Sequence, residues 1–450
     1  MDEITNVIWV GFGAVATCLA EILTREDFLR DKSHTIIEPE PDKRRIDIFS
    51  EFTENFRLIK KAITVENYKK LLTPLFVKNA TLLINLSVDV DSIMLMKLCN
   101  KYNTLYIDTS LENYPEGNST KLHTQYSKIK YTTLYYRQKL AEKELNDVRK
   151  TQVFAGGQNP GMISEFVKYG LKTYVENEKP SLLSNWKGDY SKLAHEIGLK
   201  DIVIAEYDCQ TTKEKPKKGE FINDWSSAGF YFEACLDNSM ISLSFNDAEE
   251  YKKAGIELID VPDNKHIKFL KERGMNALRD SQNLDRDEKV FNYSGMIVPH
   301  QEVCTLTDFL TYKKTGDCPS IMYVYKSCDV SIESLKNVKK DNYKSPSVFR
   351  VLWNDEVIDG YDSIMANLLF ENGDRVLCGS CVNKDDTKQF KLKSNPTIMQ
   401  VGAPVYGFIS WMLENKNKGL VSSELIPHRY VMDKAGKYLG KIMFKVIKSK

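Results

Sequence analysis

The chain has almost no net charge. Its 63 lysines and arginines stand against 62 aspartates and glutamates, leaving +1. No bulk field therefore draws it to nucleic acid or to an anionic bilayer. It also lacks any apolar run near the ~20 residues that a membrane span requires. The first apolar strand begins so early that no signal peptide precedes it, and a soluble, cytoplasmic protein is expected. Nine cysteines, an odd number, are scattered along the chain, which suits a reducing compartment and free thiols. Cys378-Gly-Ser-Cys381 has neither the second pair nor the histidine partner of a zinc site, so no metal is expected. No G-x-S-x-G, H-E-x-x-H or Walker A motif occurs, and there is no internal repeat or low-complexity tract. What is present is ordinary globular composition, 42% hydrophobic and 28% charged over 450 residues. That length exceeds one core and implies two or three domains.

The most informative segment is the first. Val7 to Val10 is a short apolar run, Gly11-Phe-Gly-Ala14 follows at once, and Thr17 to Leu23 reads as a helix. Strand, glycine turn and helix open a dinucleotide-binding unit. Gly11 permits the tight turn, Gly13 lets a pyrophosphate approach the backbone, and Ala16 allows close helix–strand packing. The helix N-terminus offers unpaired N–H groups and partial positive charge to phosphates. His34 to Ile37 reads as a second strand with Glu38 at its end, somewhat beyond the usual ~20-residue spacing. An acidic side chain there accepts hydrogen bonds from a ribose diol and repels a 2′-phosphate, favouring NAD over NADP. The ordinary alternative for Glu38 is a surface carboxylate, and the strand–turn–helix context favours the ribose role.

Strand and helix signals then alternate. Phe56 to Ala62, Thr81 to Leu86, Leu105 to Ile107 and Val153 to Ala155 read as strands. Asn67 to Leu75, Ser92 to Lys101, Leu122 to Val148 and Ile163 to Tyr174 read as helices. This order specifies a parallel sheet, whose ligands gather beyond the carboxyl ends of strands. Asp89, Asp108 and Glu112 follow strand ends, although Asp108 also suits a simple turn. Further on, Ile202 to Tyr207 and Trp225 to Phe232 read as strands, the latter closed by Glu233, and Gly295 to Val298 leads into Pro-His300-Gln-Glu302. Mixed α/β order resumes in Val348 to Leu352, Asp359 to Leu369 and Ala403 to Leu413. The expected fold is α/β: a Rossmann-type parallel sheet domain with an inserted α+β substrate and dimerisation domain, and a C-terminal segment packing back. The boundaries fall at 1–155, 156–345 and 346–450.

Nine motifs resemble, in order, the bacterial type of NAD-dependent homospermidine synthase, a relative of the saccharopine dehydrogenase group. They are Gly11-Phe-Gly-Ala14, Asn85-Leu-Ser-Val-Asp89, Leu105-Tyr-Ile-Asp-Thr109 with Glu112, and Gln158-Asn-Pro-Gly-Met162. Ile204-Ala-Glu-Tyr-Asp-Cys-Gln210, Asn223-Asp-Trp-Ser226 with Gly229, Phe230 and Glu233, and Val298-Pro-His-Gln-Glu302 follow. Val357-Ile-Asp-Gly-Tyr-Asp362 and Trp411-Met-Leu-Glu-Asn415 complete the set.

The resemblance implies that putrescine is oxidised with bound NAD, condenses with a second putrescine as ammonia leaves, and is reduced again to homospermidine. It implies catalytic roles for Glu206, Trp225, Glu233, Asn159 and His300. Glu206 and Glu233 form an inner carboxylate pair, Asn159 orients the reacting amine, and His300 shuttles protons. Trp225 meets the cationic intermediate, a cation–π contact worth roughly 2 kcal/mol when desolvated. Substrate ammonium binding falls to Glu112, with Asp89 and Asp362. Cofactor contacts extend from Gly11, Phe12, Gly13, Ala14, Val15 and Glu38 to Asn85, Ser87, Val88, Asp108, Thr109, Asn159 and Pro160. The family forms homodimers.

Taken singly, each site residue also has an ordinary structural explanation: Trp225 as core, His300 as a satisfied structural histidine, Glu206 in an ion pair, Glu233 as a cap. Three departures from the family pattern stand out: Ala228 where the family has glutamate, Ile241 to Asn246 where it is rich in Gly, Thr and His, and Lys326 where it has histidine. Two other functions stay open. A saccharopine- or carboxyspermidine-type dehydrogenase with net redox needs an arginine for its substrate carboxylate, and Arg137 and Arg279 are the nearest. A non-catalytic NAD-binding relative is the other.

Overall fold

Six strands of the first third assemble side by side because their apolar runs need cover on both faces. They are Asn6–Val10, Ser33–Ile37, Phe56–Ile59, Thr81–Asn85, Leu105–Asp108 and Gln152–Phe154. In the computed structural model, which describes residues 3–113, 132–235, 237–261 and 263–449, they form one wholly parallel sheet. Its order is third, second, first, fourth, fifth, sixth, and Leu420–Ser422 adds a seventh strand beside Gln152–Phe154. Strand order reverses between the first and fourth strands, where Val10 faces Asn85. A crevice opens at that switch point in sheets of this kind. The helix expected over Thr17 to Leu23 runs Ala14–Glu26. Of the long helix expected over Leu122 to Val148, residues 122–131 lie outside the described residues; Thr132–Glu144 is helical.

The second sheet is mixed. At its centre Leu199–Asp208 pairs in parallel with Ser320–Lys326 and antiparallel with Tyr361–Phe370. The C-terminal segment serves both sheets. Tyr361–Phe370, Arg375–Asn383 and Lys441–Ile447 join the second, while helix Pro396–Glu414 lies against Ala14–Glu26. Those two helices touch so closely that a Cβ on Gly402 would sit 3.0 Å from Cys18 Sγ. Cys378 and Cys381 are buried on Arg375–Asn383, and all nine cysteines are unpaired.

One element departs from the sequence reading. The stretch expected as a strand over Trp225 to Phe232 is a helix, Ser227–Cys235, with Trp225 just before it. Its apolar residues include Phe230, Tyr231 and Ala234, all buried against the core. A helix buried on several sides loses the polar face that reveals helical period.

The glycine turn is held by contact. Gly11 has φ +78°, and a Cβ there would lie 2.6 Å from the Ser87 backbone; Gly13 has open space around it. Gly11→Ala is therefore expected to destabilise the fold by about 1–3 kcal/mol, while Gly13→Ala leaves stability within about 0.5 kcal/mol. Thermal denaturation of both variants checks this; an equal midpoint for the two would contradict it.

Candidate active site

A cavity of about 810 Å³ runs from the glycine turn, across the switch point, to the second sheet. At one end lie Gly11, Gly13, Ala14, Val15 and Glu38, with Ser87, Val88 and Thr109 along the strand ends. Gly13 caps the helix with no side chain hydrogen-bonded to its first turn, and no acidic residue lies there. This bare N-terminus with its empty cradle fits a pyrophosphate. The Glu38 carboxylate is pinned by the N–H groups of Phe12 at 2.9 Å and Glu40 at 3.1 Å. Its remaining lone pairs suit a ribose diol.

Three expected cofactor residues do not reach the cavity wall. Phe12 is buried in an aromatic cluster with Trp9 and Phe49, so only its backbone serves the turn. Asn85 and Asp108 are buried in a polar chain behind the strand ends. Ser87 Oγ donates to Asn85 Oδ1, Asn85 Nδ2 donates to the Tyr106 hydroxyl, and Tyr106 donates to Asp108 Oδ2. Asp108 Oδ1 then accepts from the Ala155 N–H at 3.1 Å, fixing the second glycine turn, Gly156 to Gly161. Burial pushes the Asp108 carboxyl up to about 7.

At the other end Asn159, Glu206, Trp225, Glu233 and His300 come together, with Asp89 and Glu112 on a nearer wall. Glu206 sits mid-strand on Leu199–Asp208. Its Oε2 accepts from Asn159 Nδ2 at 2.8 Å and from the Tyr323 hydroxyl. Burial pushes Glu206 up to about 7 against the pull of these donors. His300 Nε2 lies 3.6 Å from Glu233 Oε1, and the His300 ring meets Tyr323 edge-on at 5.0 Å. Burial also raises Glu233, to about 8, while the His300 charge draws it down. Glu233 Oε2 is buried with no hydrogen-bond donor among the described residues. Glu112 is pushed up to about 7 by burial and then by Asp89. Asp89, on the rim, is raised by desolvation.

Trp225 Nε1 donates to the Tyr325 hydroxyl at 3.1 Å, which fixes the indole while part of it faces the cavity. Tyr323 and Tyr325, two apart on one strand, stack at 5.9 Å. Sequence reasoning passed over both, although period-two tyrosines on a strand beside an active residue were the available signal. It also passed over Glu302, which accepts from His300 Nδ1.

Asp362 is not on the cavity wall. It lies buried behind Glu206, and its carboxyl is raised by burial and then by Glu206 and Asp224. Asp208, Asp224 and Cys328 converge in the same region within 4.8 Å of one another. Of the three departures, Ala228 lines the cavity. Ile241 is buried in the second sheet, and Lys326 Nζ donates to the Asp208 carbonyl at 3.2 Å. Arg137 reaches the wall, but its guanidinium is bidentate on Asp91 at 3.0 Å and also donates to the Glu112 carbonyl. Arg279 is off the wall, on the Tyr251 hydroxyl.

Residues 7–145 match the family model described as the saccharopine dehydrogenase NADP binding domain. The chain is 29% identical to the homospermidine synthase of Mesorhizobium japonicum over 98% of its own length and 90% of the relative's. It is 27% identical to that of Blastochloris viridis over 97% and 90%. Its fold is similar to the crystal structure of the Legionella pneumophila homospermidine synthase in complex with NAD. The TM-score is 0.82 at 25% identity, covering 99% of this chain and 92% of that one. Motif order and fold agree with these matches: the chain is similar to homospermidine synthases over nearly its whole length, and its first domain to the dinucleotide-binding domain of the saccharopine dehydrogenase type.

Proposed function

We propose that this chain is an NAD-dependent homospermidine synthase acting on putrescine. The observation that carries the reading is Glu233 Oε2, a buried carboxylate oxygen without a donor among the described residues. An orphaned buried acceptor is costly, and a substrate ammonium supplies the missing donor. The wall supports this choice. Five carboxyls, Glu38, Asp89, Glu112, Glu206 and Glu233, line it against the cationic groups Lys61 and His300, whereas Arg137 is committed to Asp91. A cavity of that sign suits a dication and repels a substrate carboxylate, which disfavours the net-redox dehydrogenase.

When bound, NAD supplies reversible hydride acceptance. The turn at Gly11, Gly13 and Ala14 would hold its pyrophosphate, and Glu38 its ribose diol; the same carboxylate opposes a 2′-phosphate. An ammonium must lose a proton before its nitrogen can push out a hydride or attack a carbon. Glu206 and Glu233, raised toward neutrality, can take that proton and return it when the secondary amine forms. Asn159 orients the nitrogen beside Glu206, Trp225 faces the cationic carbon centre, and Glu112 with Asp89 holds the far ammonium. Residues 1–155 serve the cofactor, 156–345 the substrate and dimerisation, and 346–450 packs onto both sheets. Homodimer formation follows from the family resemblance. A cytoplasmic setting is supported by unpaired cysteines and, among the described residues, by no helix long and apolar enough to cross a membrane.

Incubation with putrescine and catalytic NAD is expected to yield homospermidine and ammonia without accumulation of NADH. Stoichiometric NADH would instead support the dehydrogenase, and no reaction the non-catalytic relative. Because a proton-accepting carboxyl works only when ionised, kcat/KM is expected to rise as pH climbs through about 7 to 8. Glu233→Gln should lower it on the order of 10²-fold and abolish the upper part of that rise; an unchanged profile would make Glu233 structural. Trp225→Ala should cost roughly 30-fold in kcat/KM while Trp225→Phe keeps part of the rate. Equal rates in the two variants would remove the cation–π role.

A further inference from the structure

His300 is the N-cap of helix Gln301–Leu310, and Glu302 lies in the first turn of that helix. The helix leaves Glu302 with no exposure, and its Oε1 has no partner among the described residues. Its Oε2 accepts from His300 Nδ1. The other face of the imidazole, Nε2, looks toward Glu233 Oε1 at 3.6 Å. A buried acidic side chain that lines no cavity and meets no lysine or arginine among the described residues needs a reason to be there. The positive end of the helix favours negative charge there, and among the described residues the imidazole is its one ionisable neighbour in hydrogen-bond contact.

The geometry points to Glu302 as a positioning residue: it holds the Nδ1 proton of His300, so that Nε2 stays protonated and aimed at Glu233 and the reacting nitrogen. This rests on the diamine reading of the site. In the amine exchange, the attacking nitrogen gives up one proton as its C–N bond forms. The departing nitrogen takes one as its own C–N bond breaks, so a single proton passes from one to the other without net gain. Glu233 and His300 Nε2 stand where that proton must wait. The groups that face His300 are Glu302 from its own helix, Glu233 from helix Ser227–Cys235, and Glu206 and Tyr323 from the second sheet. Burial alone lowers the imidazole, but Glu302 first, then Glu233 and Glu206, outweigh it and hold it up to about 9.

Nitrogen-15 NMR of the histidine-labelled full chain reads the titration of His300 without needing turnover. Steady-state kinetics with putrescine and NAD is run beside it. In Glu302→Gln, the His300 midpoint is expected to fall by about one pH unit or more. The alkaline limb of kcat should move down with it, and kcat should drop 10- to 100-fold while KM for putrescine stays within about twofold. Glu302→Asp, which keeps the charge, should restore most of the midpoint; if Glu302→Gln does not fold, a smaller downward shift in Glu302→Asp carries the test. A lower rate with an unmoved His300 midpoint would make Glu302 merely structural and overturn the proposal, as would no change in either. A shifted midpoint in a chain that makes no homospermidine even as wild type would uphold Glu302 and sink the diamine reading instead.

Discussion

Negative charge held away from water sets the terms for this molecule. A carboxylate in a cavity wall must either take up a proton, find a donor, or wait for one. Glu206 finds donors in Asn159 and Tyr323. Among the described residues, Glu233 has His300 near one oxygen and no partner on the other. Both are driven toward neutrality by burial, which makes them exchange protons easily where an exposed glutamate would stay ionised. The same desolvation makes these groups costly until a donor meets them.

The fold places that charge beside a dinucleotide turn by joining two sheets. The parallel sheet ends its strands at the cavity, and the polar chain from Ser87 through Asn85, Tyr106 and Asp108 ties three of those ends to the second glycine turn. Asn159 lies in that turn and hydrogen-bonds Glu206 on the second sheet, so one side chain spans the junction. The C-terminal segment closes it from behind, with strands in both sheets and a helix lying on Ala14–Glu26.

Much of this was legible in the residues. The glycine turn, the parallel strands and the acidic residues at strand ends announce themselves through period, spacing and position. Glu206, Glu233, Trp225, Asn159 and His300 converge as the family motifs imply. Three things were hidden, each for a physical reason. Ser227–Cys235 read as a strand because its surroundings are apolar on several sides. Phe12, Asn85, Asp108 and Asp362 carried the right motifs, but packing turned them inward to support the wall. Tyr323, Tyr325 and Glu302 act by hydrogen bonds to other functional residues, and a linear motif does not show which buried hydroxyl meets which carboxylate.

The most direct measurement is a crystal structure of the full chain with NAD and putrescine. An amine nitrogen within about 3 Å of Glu233 Oε2, with its carbon chain over the Trp225 ring, is the expected result. A diamine bound elsewhere, with that oxygen still unpartnered or bonded to water alone, would contradict the account.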